Sequence, residues 1–130
     1  MIQSSEDLEG FLRKLERPVE RAAAGTYVLR MEAGGALVAL HFLPPLLVVR
    51  AEIARVPASP EASRSLFKKL LELNVSALVH VAYGIEGEQI VLAAALELSS
   101  LDLNELEGVL SDVDLALAEH VPLLHEMVRS

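Results

Sequence analysis

Apolar residues recur along this chain in two periods, and the switches between the periods mark its elements. From Leu8, the residues Phe11, Leu12, Leu15 and Val19 follow at helical spacing, with Arg13, Lys14, Glu16, Arg17 and Glu20 off the stripe. Ser4 or Ser5 caps this helix, and Glu6 and Asp7 suit the positive end of its dipole. Pro18 ends or bends it, and Gly25 releases the chain. The period then falls to two. Tyr27 to Ala33 and Ala36 to Phe42 predict strands joined by Gly34-Gly35, a pair that permits the positive φ of a tight hairpin. Pro44-Pro45 stops the second strand, because proline lacks the N–H that a ladder needs. Leu46 to Val56 predicts a third.

The clearest boundary is Pro57-Ala58-Ser59-Pro60-Glu61. Ser59 is a cap, Pro60 fits the first helical position, and Glu61 follows in the first turn. Ala62, Leu66, Phe67, Leu70, Leu71 and Asn74 run down this second helix. Ala77 to Ile85 and Gln89 to Leu98 predict two more strands around Glu86-Gly87-Glu88. Asp102 with Glu105 three residues on forms a capping-box pattern, and spaced apolar residues from Leu103 to Val128 extend a last helix. Pro122 kinks it or starts a second segment.

The order is therefore α-β-β-β-α-β-β-α. Tight turns between strands imply an antiparallel sheet, and the helices cover one of its faces, an α+β fold. A length of 130 residues suits a single domain, 1–130.

Composition narrows the function. Apolar residues make up 52% of the chain but aromatic ones only 4%, so the mass fills cores and interfaces and offers few rings to stack on bases. The absence of cysteine excludes disulfides and thiolate chemistry. The acidic, polar N-terminus is unlike a secretory signal, and no apolar run is long enough for a membrane helix, so the expectation is a cytoplasmic protein without membrane contact. Net charge is −8, and all of it falls in residues 59–130, where twelve acidic side chains face four basic ones. Such a surface repels phosphate backbones, so no direct nucleic-acid partner is expected.

No catalytic, metal or cofactor site is expected either. His120 and His125 are five apart, which sends their rings to different sides of a helix, and the paired-ligand motif needs four. His41 and His80 lie in strand patterns. Gly-x-Ser-x-Gly and the phosphate-binding glycine loops are absent. Asp112 and Asp114 are two apart, so they diverge on a helix. What remains is a binding protein before an enzyme.

The element order resembles the fold shared by type III secretion chaperones and the YbjN family. Leu70-Leu71-Glu72-Leu73-Asn74 is similar to the Leu-Leu-x-Leu-Asn segment with which YbjN-like sequences close the second helix. Val91 to Leu96, followed by Leu101-Asp102-Leu103-Asn104-Glu105-Leu106, is similar to the family's final strand and helix entry. The resemblance implies a small acidic homodimer without enzymatic activity. Its members bind other proteins, and the secretion chaperones hold partner segments extended across apolar patches.

Two sets of candidate residues follow. Phe67 and Leu71 are four apart and rotated from the core row Leu66 and Leu70, so with Lys68 they form a candidate dimer interface. Leu46, Leu47 and Leu101 fall off the main stripes and are candidate partner-binding residues. The alternative is a small-molecule-sensing regulatory domain with a pocket between helix and sheet, to which Tyr83, His80 and Gln89 would give polar groups.

Overall fold

The computed structural model describes residues 2–31 and 36–129. Ser4 caps helix α1 (Ser5–Leu12) in a reciprocal capping box: its hydroxyl accepts from the Asp7 N–H at 3.1 Å, and the Asp7 carboxylate accepts from the Ser4 N–H at 3.2 Å. The Gln3 N–H, which the Asp7 carboxylate also accepts at 2.9 Å, holds that carboxyl below the usual range against desolvation, with smaller help from the Ser4 N–H and hydroxyl. The helix is shorter than its apolar stripe. At Lys14 and Leu15 the backbone bonds tighten to i→i−3. Leu15 is still buried, but after Pro18 the chain turns into a strand, β1 (Val19–Ala23), where the helical period had claimed Val19.

Gly25, at a φ of +73°, turns β1 into β2 (Thr26–Arg30). β2 pairs antiparallel with β3 (Leu37–Leu43), Val28 opposite Ala39, as the alternation predicted. The Gly34-Gly35 link itself lies outside the described residues. Pro44-Pro45 forms the turn to β4 (Leu46–Arg55). Ser59 caps α2 (Pro60–Ser76) by accepting from the Ala62 N–H at 3.3 Å. β5 (Ala82–Glu86) and β6 (Gln89–Glu97) close on Gly87, at a φ of +60°. Asp102 caps α3 (Leu103–Leu115) by accepting from the Glu105 N–H at 2.7 Å. A single π turn, Ala116–His120, joins α3 to α4 (Val121–Arg129) just before Pro122. The expected break therefore comes as an extra residue wound into the helix, next to a proline that cannot continue the regular bonding.

The sheet is antiparallel with strand order β1-β2-β3-β4-β6-β5. Tyr27, Leu29, Val38, Leu40, Leu47, Val49, Ala51, Ile90 and Leu92 share one face. They join Leu8 and Leu12 of α1, Leu66 and Leu70 of α2, Leu106 and Leu110 of α3 and Leu124 of α4 in one buried cluster. The α+β class and the covered face are as expected; one strand is added near the start, and the last helix is in two pieces.

Candidate protein-binding surfaces

Helix α2 is apolar on two sides. Leu66, Leu70 and Leu73 point into the core, as a row at spacings of three and four must. The second row, one residue on, faces out. Phe67 is half-buried and packs on the core, Lys68 is exposed, and Leu71 is 66% exposed. The row continues one turn further to Val75, 89% exposed, and Val79 beyond the helix is 81% exposed. Lys68, Lys69, Leu71, Glu72, Val75 and Ser76 line a shallow groove on this side. Of the candidate interface residues, Lys68 and Leu71 thus stand on open surface, and Phe67 bridges surface and core. Val75 escaped the sequence reading, although stepping four residues from Leu71 reaches it.

The second candidate set divides. Leu46 is half-buried and pairs in register with Leu43, which is 57% exposed, at the β3–β4 corner. Leu101 is half-buried and packs on the core. Leu47 has no exposure at all. It pairs with Phe42 on one side and Leu96 on the other, on the sheet face that the helices cover. Strand alternation places neighbours on opposite faces, so Leu46 and Leu47 cannot serve one surface. Leu47 is a core residue and presents nothing to a partner.

The uncovered sheet face carries Val28, Ala39, Val48 and Ala93, all half-buried, around Arg50. Arg50 bonds Glu52 at 3.3 Å and Glu86 at 2.6 Å. Glu86 is thus bound into a surface ion-pair network.

The groups offered for a ligand pocket do not converge. Tyr83 points into the core, its hydroxyl 3.1 Å from Nδ1 of buried His120, and burial pushes its phenol well above the ordinary range. Gln89 pairs with Glu86 at the hairpin. The His80 ring lies against α3 at Gly108, where an added Cβ would stand 3.1 Å from it. The other histidines are also spent on structure. His125 Nε2 is 3.0 Å from the Ile53 carbonyl, and His41 Nδ1 is 3.3 Å from the Thr26 hydroxyl.

Asp112 and Asp114 diverge as their spacing requires. Asp114 pairs with Arg17 at 2.8 Å. Asp112 reaches the loop before β5, where its Oδ2 accepts from the N–H of Val79 at 3.0 Å and of His80 at 2.6 Å, with the His80 ring at 3.4 Å. Desolvation pushes the Asp112 carboxyl up, but those hydrogen bonds and the nearby imidazole outweigh it and hold it below the ordinary range. Among the described residues no group of three histidine or acidic side chains could hold a metal ion, and no helix is long and apolar enough to cross a membrane.

The two edges of the sheet differ. At β5, the Asn74 side chain accepts from the Tyr83 N–H at 2.7 Å and donates to the Tyr83 carbonyl at 3.1 Å. It thereby occupies backbone groups that a further strand would need. β1 forms the other edge.

Residues 1–130, the whole chain, match the CesT_Tir_1 family. The fold is similar to a chain in the structure of the heterodimeric complex ExoU-SpcU from the type III secretion system of Pseudomonas aeruginosa. The match has a TM-score of 0.65 and 21% identity, and covers 89% of this chain and 95% of that one. No curated protein matches the sequence.

Proposed function

The chain belongs to the CesT_Tir_1 family of type III secretion chaperones, and on that premise we propose a non-enzymatic, cytoplasmic, single-domain chaperone that works as a homodimer. It holds a segment of a partner protein on apolar surface and binds neither nucleic acid nor membrane. By analogy with the ExoU-SpcU complex, the partner is a different protein of a type III secretion system.

The observation that carries this reading is the outward row of α2. Leu71 and Val75 lie one turn apart and are both open to water. Burying such a side chain stabilises by about 1.5–3 kcal/mol, so a row of them favours covering. Lys68 and Glu72 flank the row four residues apart. In a two-fold arrangement the patch contacts itself, and Lys68 of one copy meets Glu72 of the other. The row is the dimer face, with Phe67 at its inner margin. Leu46 and Leu101, half-buried elsewhere on the surface, remain for the partner.

Sedimentation velocity tests this. The wild type is expected as a dimer at micromolar concentration, and Leu71→Asp combined with Val75→Asp as a folded monomer. A wild-type monomer well above that concentration would overturn the reading.

A further inference from the structure

Beside the β1 edge lies a cleft of ≈ 340 Å³ between α1, the turn after it and the β1–β2 pair. Its floor is apolar: Leu12 and Leu15 are buried and Val19 is half-buried. Its rim is cationic. Arg21 stands opposite Tyr27 in the β1–β2 register, and directly opposite residues share a sheet face. Tyr27 is a core residue, so Arg21 is a charge on the helix-covered side of the sheet, overhanging the cleft from the edge strand. Arg13, at the C-terminal end of α1, lines the cleft from the other side.

The charged groups of this cleft are not equally engaged. Arg17 is bound to Asp114, and Glu9 accepts from the Tyr27 hydroxyl at 3.0 Å. Arg13 and Arg21 are exposed and make no ion pair with any of the described residues. Two exposed arginines over an apolar floor, without an ion-pair partner among the described residues, are a selective feature in a chain of net charge −8. The net negative charge lies in residues 59–130 and discourages an acidic partner there. The cleft is built from residues between 9 and 27, within the stretch 1–58 that carries no net charge, where local cations can decide whether one docks. An inward-pointing charge on an edge strand also discourages indiscriminate strand pairing.

We propose that this cleft is a specificity subsite that takes an aliphatic side chain of an extended partner segment on Leu12, Leu15 and Val19, and a nearby carboxylate of that segment on Arg13 and Arg21. In an extended segment, residues two apart face the same way about 7 Å apart, which fits one side chain to the floor and the other to the rim. The inference rests on the chaperone reading and adds the partner's chemistry: an aspartate or glutamate two positions from leucine, isoleucine or valine.

Panning a displayed library of random peptides against the full chain tests it. The wild type is expected to enrich peptides with that pairing. The enriched peptides should bind about 5- to 10-fold more tightly than their asparagine or glutamine counterparts, as two partly exposed ion pairs allow. The preference should shrink as salt is raised, a readout that needs no variant. Arg13→Gln with Arg21→Gln should abolish the preference while keeping the neutral peptides bound, and Arg13→Glu with Arg21→Glu should turn it toward lysine and arginine. Enrichment of apolar peptides without acidic residues, a preference insensitive to salt, or one that survives in the glutamine variant would overturn the subsite and leave the chaperone reading standing. Enrichment of no apolar peptide at all would overturn both.

Discussion

Asn74 on α2 and Tyr83 on β5 are joined by two hydrogen bonds, one in each direction, between a carboxamide and a strand backbone. A primary amide offers a donor and an acceptor side by side, as a neighbouring strand does. The asparagine that closes the Leu-Leu-x-Leu-Asn segment therefore both ties α2 to the sheet and blocks the β5 edge. Asn74→Ala is expected to cost about 1–3 kcal/mol in urea unfolding, since it strips two backbone groups of their partner. Asn74→Asp keeps only the acceptor and should fall between. An unchanged midpoint in both would show that water replaces the amide freely.

The adjacent leucines of β4 give a second contrast. Leu47→Ala should cost about 2–5 kcal/mol, because Leu47 is fully enclosed between β3, β6 and the helices. Leu46→Ala should cost less than about 1 kcal/mol, as expected away from a closed core. Chemical denaturation of the two variants checks this. Similar losses would mean that the two faces of β4 are equally buried.

How much of this could be read beforehand depends on where the signal lay. Caps and glycine turns are local, and Ser59, Gly87 and Asp102 announced their elements correctly. The chaperone family was also legible, from element order and two short segments. β1 was not, because an edge strand reading Val-Glu-Arg-Ala-Ala has little apolar alternation, and Val19 happens to continue the helical spacing of Leu8, Leu12 and Leu15. The start of β5 was placed too early at Ala77. Apolar residues from there to Val81 look like strand, but Asp112, more than thirty residues away, captures the N–H groups of Val79 and His80 and holds that stretch as a loop. Leu47 was misread because a stripe count for helices says nothing about which face of a strand is covered.

Gly108 and His80 test a close approach. Alanine stabilises an exposed helix interior by about 1 kcal/mol over glycine, but here its Cβ would press the His80 ring at 3.1 Å. Gly108→Ala should therefore stabilise the His80→Ala background by about 1 kcal/mol and the wild type by clearly less. A thermal-unfolding double-mutant cycle reads the difference. Equal effects in both backgrounds would mean that the ring exerts no constraint.

Asp112 sets an acid dependence. Its carboxyl titrates lower in the folded chain than the ordinary 3.8, so its contribution is complete above that value and is lost as pH falls through the lower folded value. Asp112→Asn should be less stable than wild type at neutral pH, with the gap closing only as the pH drops below about 4. Urea midpoints across that range check it. A gap that widens in acid would contradict the assigned hydrogen bonds.

The most direct measurement is native mass spectrometry of the chain purified gently from cells that produce its partner. The expected species are two copies of the chain, and two copies carrying a partner polypeptide. In the Leu71→Asp, Val75→Asp variant the two-copy species should disappear. A single copy in all preparations, or a chain that carries a small molecule and never a polypeptide, would contradict the account.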